Sequence, residues 1–136
     1  MKALLVPQSK VPSIWNEVAP LINKSLHGEE DLIAEDFLEA LVNGEAYMWI
    51  VVEYGDIESA VFGEIITYPR KKSFYINAWA SKSGYRFDEC MELFTDSVID
   101  FAKNNGCSFI EAKVRKGLAK KLNWNDKHSL VTLTLR

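Results

Sequence analysis

The sequence predicts a mixed α/β fold: a mostly antiparallel sheet with one parallel strand pair and helices on both faces. Three observations predict it. Residues 47–80 hold three runs rich in aromatic and β-branched side chains, separated by short turns. A long amphipathic stretch from about Tyr85 to Asn104 comes next. A further apolar run from Phe109 to Val114 then completes a strand–helix–strand step, which requires a parallel pair.

The elements follow in order. Lys2 to Val6 is a short apolar strand ended by Pro7. Pro12 stands where a first helical turn tolerates proline, and Trp15, Val18, Leu21 and Ile22 continue at helical spacing. Pro20 lies inside that pattern, so a kink or break is expected there. His27-Gly28-Glu29-Glu30 reads as a loop, and Asp31 or a neighbour caps a second helix carrying Phe37, Ala40 and Leu41. Asn43-Gly44 stops it. A hairpin follows, Tyr47 to Tyr54 and Ile57 to Tyr68, turning at Gly55-Asp56. Gly63 inside its second strand predicts a bulge or a close backbone approach. Pro69 and Arg70-Lys71-Lys72 make the next turn, and Phe74 to Ala80 is the third strand of the meander.

The helix from Tyr85 to Asn104 places Phe87, Met91, Phe94, Val98 and Phe101 on one stripe with Cys90 and Ala102 beside it. Asn104-Asn105-Gly106 ends it. After the strand Phe109–Val114, Gly117 to Leu122 reads as a short helix and Leu130 to Leu135 as a final alternating strand. The order is β-α-α-β-β-β-α-β-α-β. No repeat, linker or low-complexity tract interrupts it, so a single domain over residues 1–136 is expected.

Bulk composition narrows the function. The formal net charge of −3 argues against a general nucleic-acid binder. Arg70-Lys71-Lys72 and the basic residues from Arg115 to Lys121 are short clusters, and the first reads as a solvated loop. Cys90 and Cys107 make no disulfide framework and read as small buried hydrophobes. His27 and His128 lie far apart in the chain and suggest no metal site. The apolar start Ala3-Leu4-Leu5-Val6 is too short for a signal peptide, and no run reaches the ~20 apolar residues of a membrane span. A soluble, cytoplasmic protein is the expectation.

One stretch suggests a ligand. The strand Phe74 to Ala80 breaks at Ser81-Lys82-Ser83-Gly84, and a helix starts immediately after. Such a helix start directs unpaired N–H groups back at the turn, a potential phosphate seat.

Taken with the element order, Tyr47 to Ala80, the turn and helix from Ser81 to Asn104, the strand opening at Gly106-Cys107-Ser108-Phe109, and Val114 to Leu122 make nearly the whole chain resemble the GCN5-related N-acetyltransferase (GNAT) family. The last two pieces most resemble the small GNAT-like proteins of tailed bacteriophages, which would place the chain in a host cytoplasm. The resemblance implies acetyl-CoA as co-substrate, lying where two neighbouring strands splay apart, and an amine as acceptor. It implies that Ala78, Trp79 and Ala80 border the pantetheine arm, with Ala78 and Ala80 using their backbone. It also implies that Ser81, Lys82, Ser83, Gly84, Tyr85 and Arg86 cradle the pyrophosphate. Two departures stand out. Tyr85 replaces a small residue of the family turn, and Leu118 to Leu122 lacks the family's thiolate-protonating tyrosine.

Acetyl transfer to an amine needs a base and a group that polarises the thioester carbonyl. Glu64 is the first candidate base, because alternation puts it on one strand face with Phe62, Ile66 and Tyr68. Glu111 is the second, and Tyr68 is a candidate general acid displaced from the family position. The plainer readings are solvent-facing glutamates and a strand-end aromatic. Tyr75, Asn77 and Trp79 are expected to share one face of the central strand. Trp49, Trp79 and Trp124 read as core residues before ligand-stacking ones. Two functional classes follow: an acetyl-CoA-dependent N-acyltransferase, or an inactive GNAT-fold scaffold with a protein partner or a second copy, as in phage particle assembly.

Overall fold

The computed structural model describes residues 1–25, 33–83 and 87–112. Five strands pair in chain order: β1 (Lys2–Leu5), β2 (Tyr47–Glu53), β3 (Asp56–Thr67), β4 (Lys72–Ser81) and β5 (Phe109–Ala112). The first four are antiparallel neighbours, and β4 and β5 are parallel. Three helices accompany them: α1 (Val11–Ser25), α2 (Glu35–Val42) and α3 (Phe87–Asn104). The expected short helix from Gly117 to Leu122 and the strand from Leu130 to Leu135 lie outside the described residues.

Two apolar layers sandwich the sheet. On one face α1 and α2 cover Met48, Ile50, Ala60, Phe62 and Ala78, with Val11, Trp15, Val18 and Ile22 supplied by α1. On the other face α3 covers Trp49, Val51, Val61, Phe74, Ile76 and Trp79. The α3 spine is Cys90-Phe94-Val98-Ala102, spaced four residues apart and almost wholly buried, with Met91 and Phe101 at its flanks. Trp49 meets Phe74 and Phe101 edge-on at 5.4 and 5.2 Å, the geometry that aromatic quadrupoles favour. Both described tryptophans considered for ligand stacking, Trp49 and Trp79, are therefore core residues.

Local chemistry explains where the elements differ from expectation. Helix α1 runs unbroken through Pro20. Proline removes only the N–H that would meet the Asn16 carbonyl, and both residues lie on the exposed side, where water can satisfy that carbonyl. At the start of α2, Ala34 offers no side-chain cap. Asp36 instead reaches back to the Ile33 N–H at 2.8 Å, and Asn23 of α1 accepts the Ala34 N–H at 2.7 Å. Asp31, the expected cap, lies outside the described residues. The hairpin turns at Tyr54-Gly55, one residue earlier than expected, with φ of 51° and 81°. Positive φ at both central residues defines the primed turn that suits the right-handed twist of two paired strands. Helix α3 stops at Gly106, whose φ of 77° few residues other than glycine adopt without strain.

Candidate functional site

Gly63 produces the feature that organises the site. A Cβ on it would collide with the Tyr75 carbonyl and stand 2.7 Å from Cε1 of Phe74. Only a glycine lets β3 and β4 approach so closely. The pairing shifts at this point: Phe62 opposes Ala78 and Gly63 opposes Ile76, which leaves Asn77 as an extra residue on β4.

The bulge changes the faces of β4. Phe74, Ile76 and Trp79 all pack in the α3 layer, although strict alternation would separate Trp79 from the other two. Tyr75 and Ala78 therefore share the opposite face. This corrects the expectation that Tyr75, Asn77 and Trp79 lie together. Alternation along β3 is undisturbed, so Glu64 does share a face with Phe62, because the inserted residue is on the partner strand.

Beyond the bulge β4 runs past the end of the described β4–β5 ladder. The β4–β5 ladder runs only from Ser73 opposite Phe109 to Ile76 opposite Ala112. From Asn77 to Ser81, β4 pairs with β3 and has no second neighbour among the described residues. Ala78, Trp79 and Ala80 stand on this stretch. All three are buried. The Trp79 ring packs against Phe94 at 6.0 Å between centroids.

Next to this stretch lies a row of polar groups. Glu64 opposes Tyr75 and Tyr75 opposes Glu111, which places all three on one face of three adjacent strands. The two glutamates flank the tyrosine, their Cα atoms two strand spacings or about 9.5 Å apart. All three are half-buried. Glu111 Oε2 accepts the hydroxyls of Tyr68 at 2.8 Å and Ser73 at 2.5 Å. The Tyr68 ring stacks on Phe109 at 6.2 Å, and the Lys71 ammonium lies 4.6 Å from the Phe109 centroid and 5.7 Å from that of Tyr68. The hydrogen bond to Glu111, then burial, then the negative charge of Glu111 raise the Tyr68 pKa above 10.0. Tyr68 is therefore a neutral donor at physiological pH.

The structure thus brings Glu64 and Tyr68 onto one face, as alternation predicts, and places Glu111 of β5 on the same face. It adds Ser73, Phe109 and Lys71, which sequence reasoning passed over. Ser73 is the buried polar residue of an otherwise apolar strand end and sits two residues from Tyr75. That pattern is a readable signal. Lys71, expected as part of a solvated loop, covers two aromatic rings, and Lys72 Nζ donates to the Asn105 carbonyl at 2.8 Å.

At the far end of β4 the turn opens. Ser59 is fully buried; its hydroxyl donates to the Ala80 carbonyl at 2.7 Å and lies 2.9 Å from Ser81 Oγ. Lys82 is exposed. Its N–H donates to the Glu58 carbonyl at 2.7 Å, and the Ser83 N–H donates to Glu58 Oε1 at 3.1 Å. Gly84, Tyr85 and Arg86 lie outside the described residues. Among the described residues no cluster of His, Cys, Asp and Glu suits a metal ion, and no helix is long and apolar enough to cross a membrane.

In sequence, no family model and no curated protein matches the chain. In structure the likeness is extensive. A mutant of the BH1408 protein from Bacillus halodurans superposes with a TM-score of 0.74 at 15% identity, covering 100% of both chains. Ribosomal-protein-alanine N-acetyltransferase from Brucella melitensis biovar Abortus 2308 gives 0.73 at 12%, over 99% of this chain and 100% of that one. A predicted acetyltransferase from Clostridium acetobutylicum, solved with acetyl-CoA, gives 0.69 at 16%, over 98% and 95%. Together with the five-stranded mixed sheet and its parallel β4–β5 pair, these likenesses show the GNAT fold.

Proposed function

We propose that this protein is an acetyl-CoA-dependent N-acetyltransferase acting on a cationic amine. The observation that supports this most is the coincidence of three features on β4: the stretch beyond the described β4–β5 ladder, the bulge at Asn77 and the Glu64–Tyr75–Glu111 row beside them.

The described residues fit the cofactor at its apolar end. The β4 backbone at Asn77 and Ala78, beyond the described β4–β5 ladder, is the candidate for the amides of a pantetheine arm. Ser81, Lys82 and Ser83, continuing into Gly84, Tyr85 and Arg86, are the candidates for the pyrophosphate, with Lys82 supplying positive charge. When bound, acetyl-CoA supplies an acyl group activated as a thioester. Glu64 and Glu111 attract a protonated amine and accept its proton, which leaves the nitrogen lone pair free for attack. Tyr68 and Ser73 both hydrogen-bond Oε2 of Glu111, so they orient that carboxylate. Because the Tyr68 hydroxyl is directed at Glu111, we assign it an orienting role and no acid step.

A second reading, a GNAT-fold scaffold with a protein partner, for instance in a phage particle, is favoured by one contact: the turn amide of Ser83 already holds a carboxylate of the chain itself.

Calorimetric titration with acetyl-CoA and with CoA, followed by thiol-release assays on mono-, di- and polyamines, tests the enzyme reading. Micromolar binding with turnover supports it. Binding without turnover on any amine supports the scaffold, and no binding at millimolar cofactor rejects the enzyme.

A further inference from the structure

Glu58 occupies a group that a phosphate would need. Its residue position follows from the ladder: Ser59 opposes Ser81, so the residue before Ser59 lies beside the residues that follow Ser81. Two bonds result, and they differ in kind. The bond from the Lys82 N–H to the Glu58 carbonyl extends the strand pairing and belongs to the frame. The bond from the Ser83 N–H to Glu58 Oε1 is made by a half-buried side chain that can rotate away.

A carboxylate oxygen on a backbone N–H is chemically the same arrangement as a phosphate oxygen on that N–H: an anionic acceptor on a neutral donor. One N–H cannot serve both well. If the carboxylate stays, its charge also repels the incoming anion, in a half-buried place where water screens it only partly. The Ser59 contacts to Ala80 and Ser81 hold the end of β4 without the Glu58 carboxylate.

We propose that Glu58 is an internal competitor for the phosphate-bearing ligand and sets how tightly the turn can hold it. The inference rests on the acetyl-CoA reading for the identity of that ligand. The competition for the Ser83 N–H stands on the Glu58 contact alone. Entry of a diphosphate requires the carboxylate to leave the Ser83 N–H. Removing the charge therefore strengthens binding, whereas removing an ordinary binding-site contact would weaken it.

The test compares the full chain with Glu58→Gln and Glu58→Ala by calorimetric titration with CoA, with melting temperatures as a folding control. Glu58→Gln keeps an oxygen that can accept the N–H but loses the charge, and Glu58→Ala loses both. Both variants are expected to bind CoA roughly tenfold more tightly than the unmodified chain. Equal or weaker binding in both folded variants overturns the proposal. If no form binds CoA, the acetyl-CoA reading fails and the competition is read separately. The Ser83 amide resonance in 15N-labelled protein is then followed with inorganic pyrophosphate as the probe. A shift in Glu58→Gln at pyrophosphate concentrations that leave the unmodified chain unchanged supports the competition. The same response in both, or none in either, overturns it.

Discussion

Tyr68 and Glu111, 43 residues apart in the chain, are joined by a 2.8 Å hydrogen bond that ties the segment after β3 to β5 across the end of β4. The bond keeps the Tyr68 phenol protonated past its ordinary range. A raised folded-state pKa means stability that is fully present below the unfolded value near 10 and is lost as pH rises through the folded value. Stability of the unmodified chain should exceed that of Tyr68→Phe at neutral pH, and the gap should close above pH 10. Ultraviolet titration should show a tyrosine that ionises above the ordinary range in the unmodified chain and is missing in the variant. A pH-independent gap would show that the bond to Glu111 is not its source.

The two glutamates of the polar row should separate chemistry from binding. Glu64→Gln is expected to slow acetyl transfer by about 10²-fold or more while leaving CoA affinity unchanged, if Glu64 is the principal base. Glu111→Gln should do the same if that role is its own. Steady-state rates beside calorimetric affinities check this, and whichever variant turns over normally is removed as the base.

Gly63→Ala puts a methyl group against the Tyr75 carbonyl and the buried Phe74 ring, neither of which can move without opening the β3–β4 ladder. Overpacking of this kind costs about 1–3 kcal/mol, readable as a lower midpoint in urea unfolding. An unchanged midpoint would mean the strands have slack that the structure does not show.

The hairpin turn offers the opposite change. Tyr54 sits at φ 51° and is 97% exposed, so its ring contributes little and its backbone is strained. The substitution Tyr54→Asn would place an asparagine before Gly55, the Asn-Gly pair that such turns prefer. A gain of about 0.5–1 kcal/mol is expected in thermal or urea unfolding, with no change in ligand binding.

The fold was legible because periodicity records burial. The α3 stripe, the meander strands and the stop at Gly106 all follow from patterns local to a few turns of chain. The Gly63 bulge was legible too, since an isolated glycine in a strand signals a close approach. Which strand took the extra residue was not, because that depends on how two distant segments register. The Tyr75–Trp79 face assignment failed for this reason alone. The Glu58 contact was hidden likewise: nothing near Glu58 in sequence shows that Ser83 lies beside it. The break expected at Pro20 does not occur because the cost of a proline depends on whether its orphaned carbonyl meets water, which only the helix orientation decides.

The extra residue at Asn77 also means that β4 carries one residue more than its inward and outward faces require. Substituting Asn77 alters one side chain. Deleting it would restore plain alternation with Trp79 still on the α3 side, now the second residue after Ile76, and the indole would stay beside Phe94. A loss of three nucleotides at this codon should thus leave the α3 layer intact. Comparisons with distant relatives that lack the extra residue would, if no gap is placed opposite it, assign every following β4 residue to the wrong side.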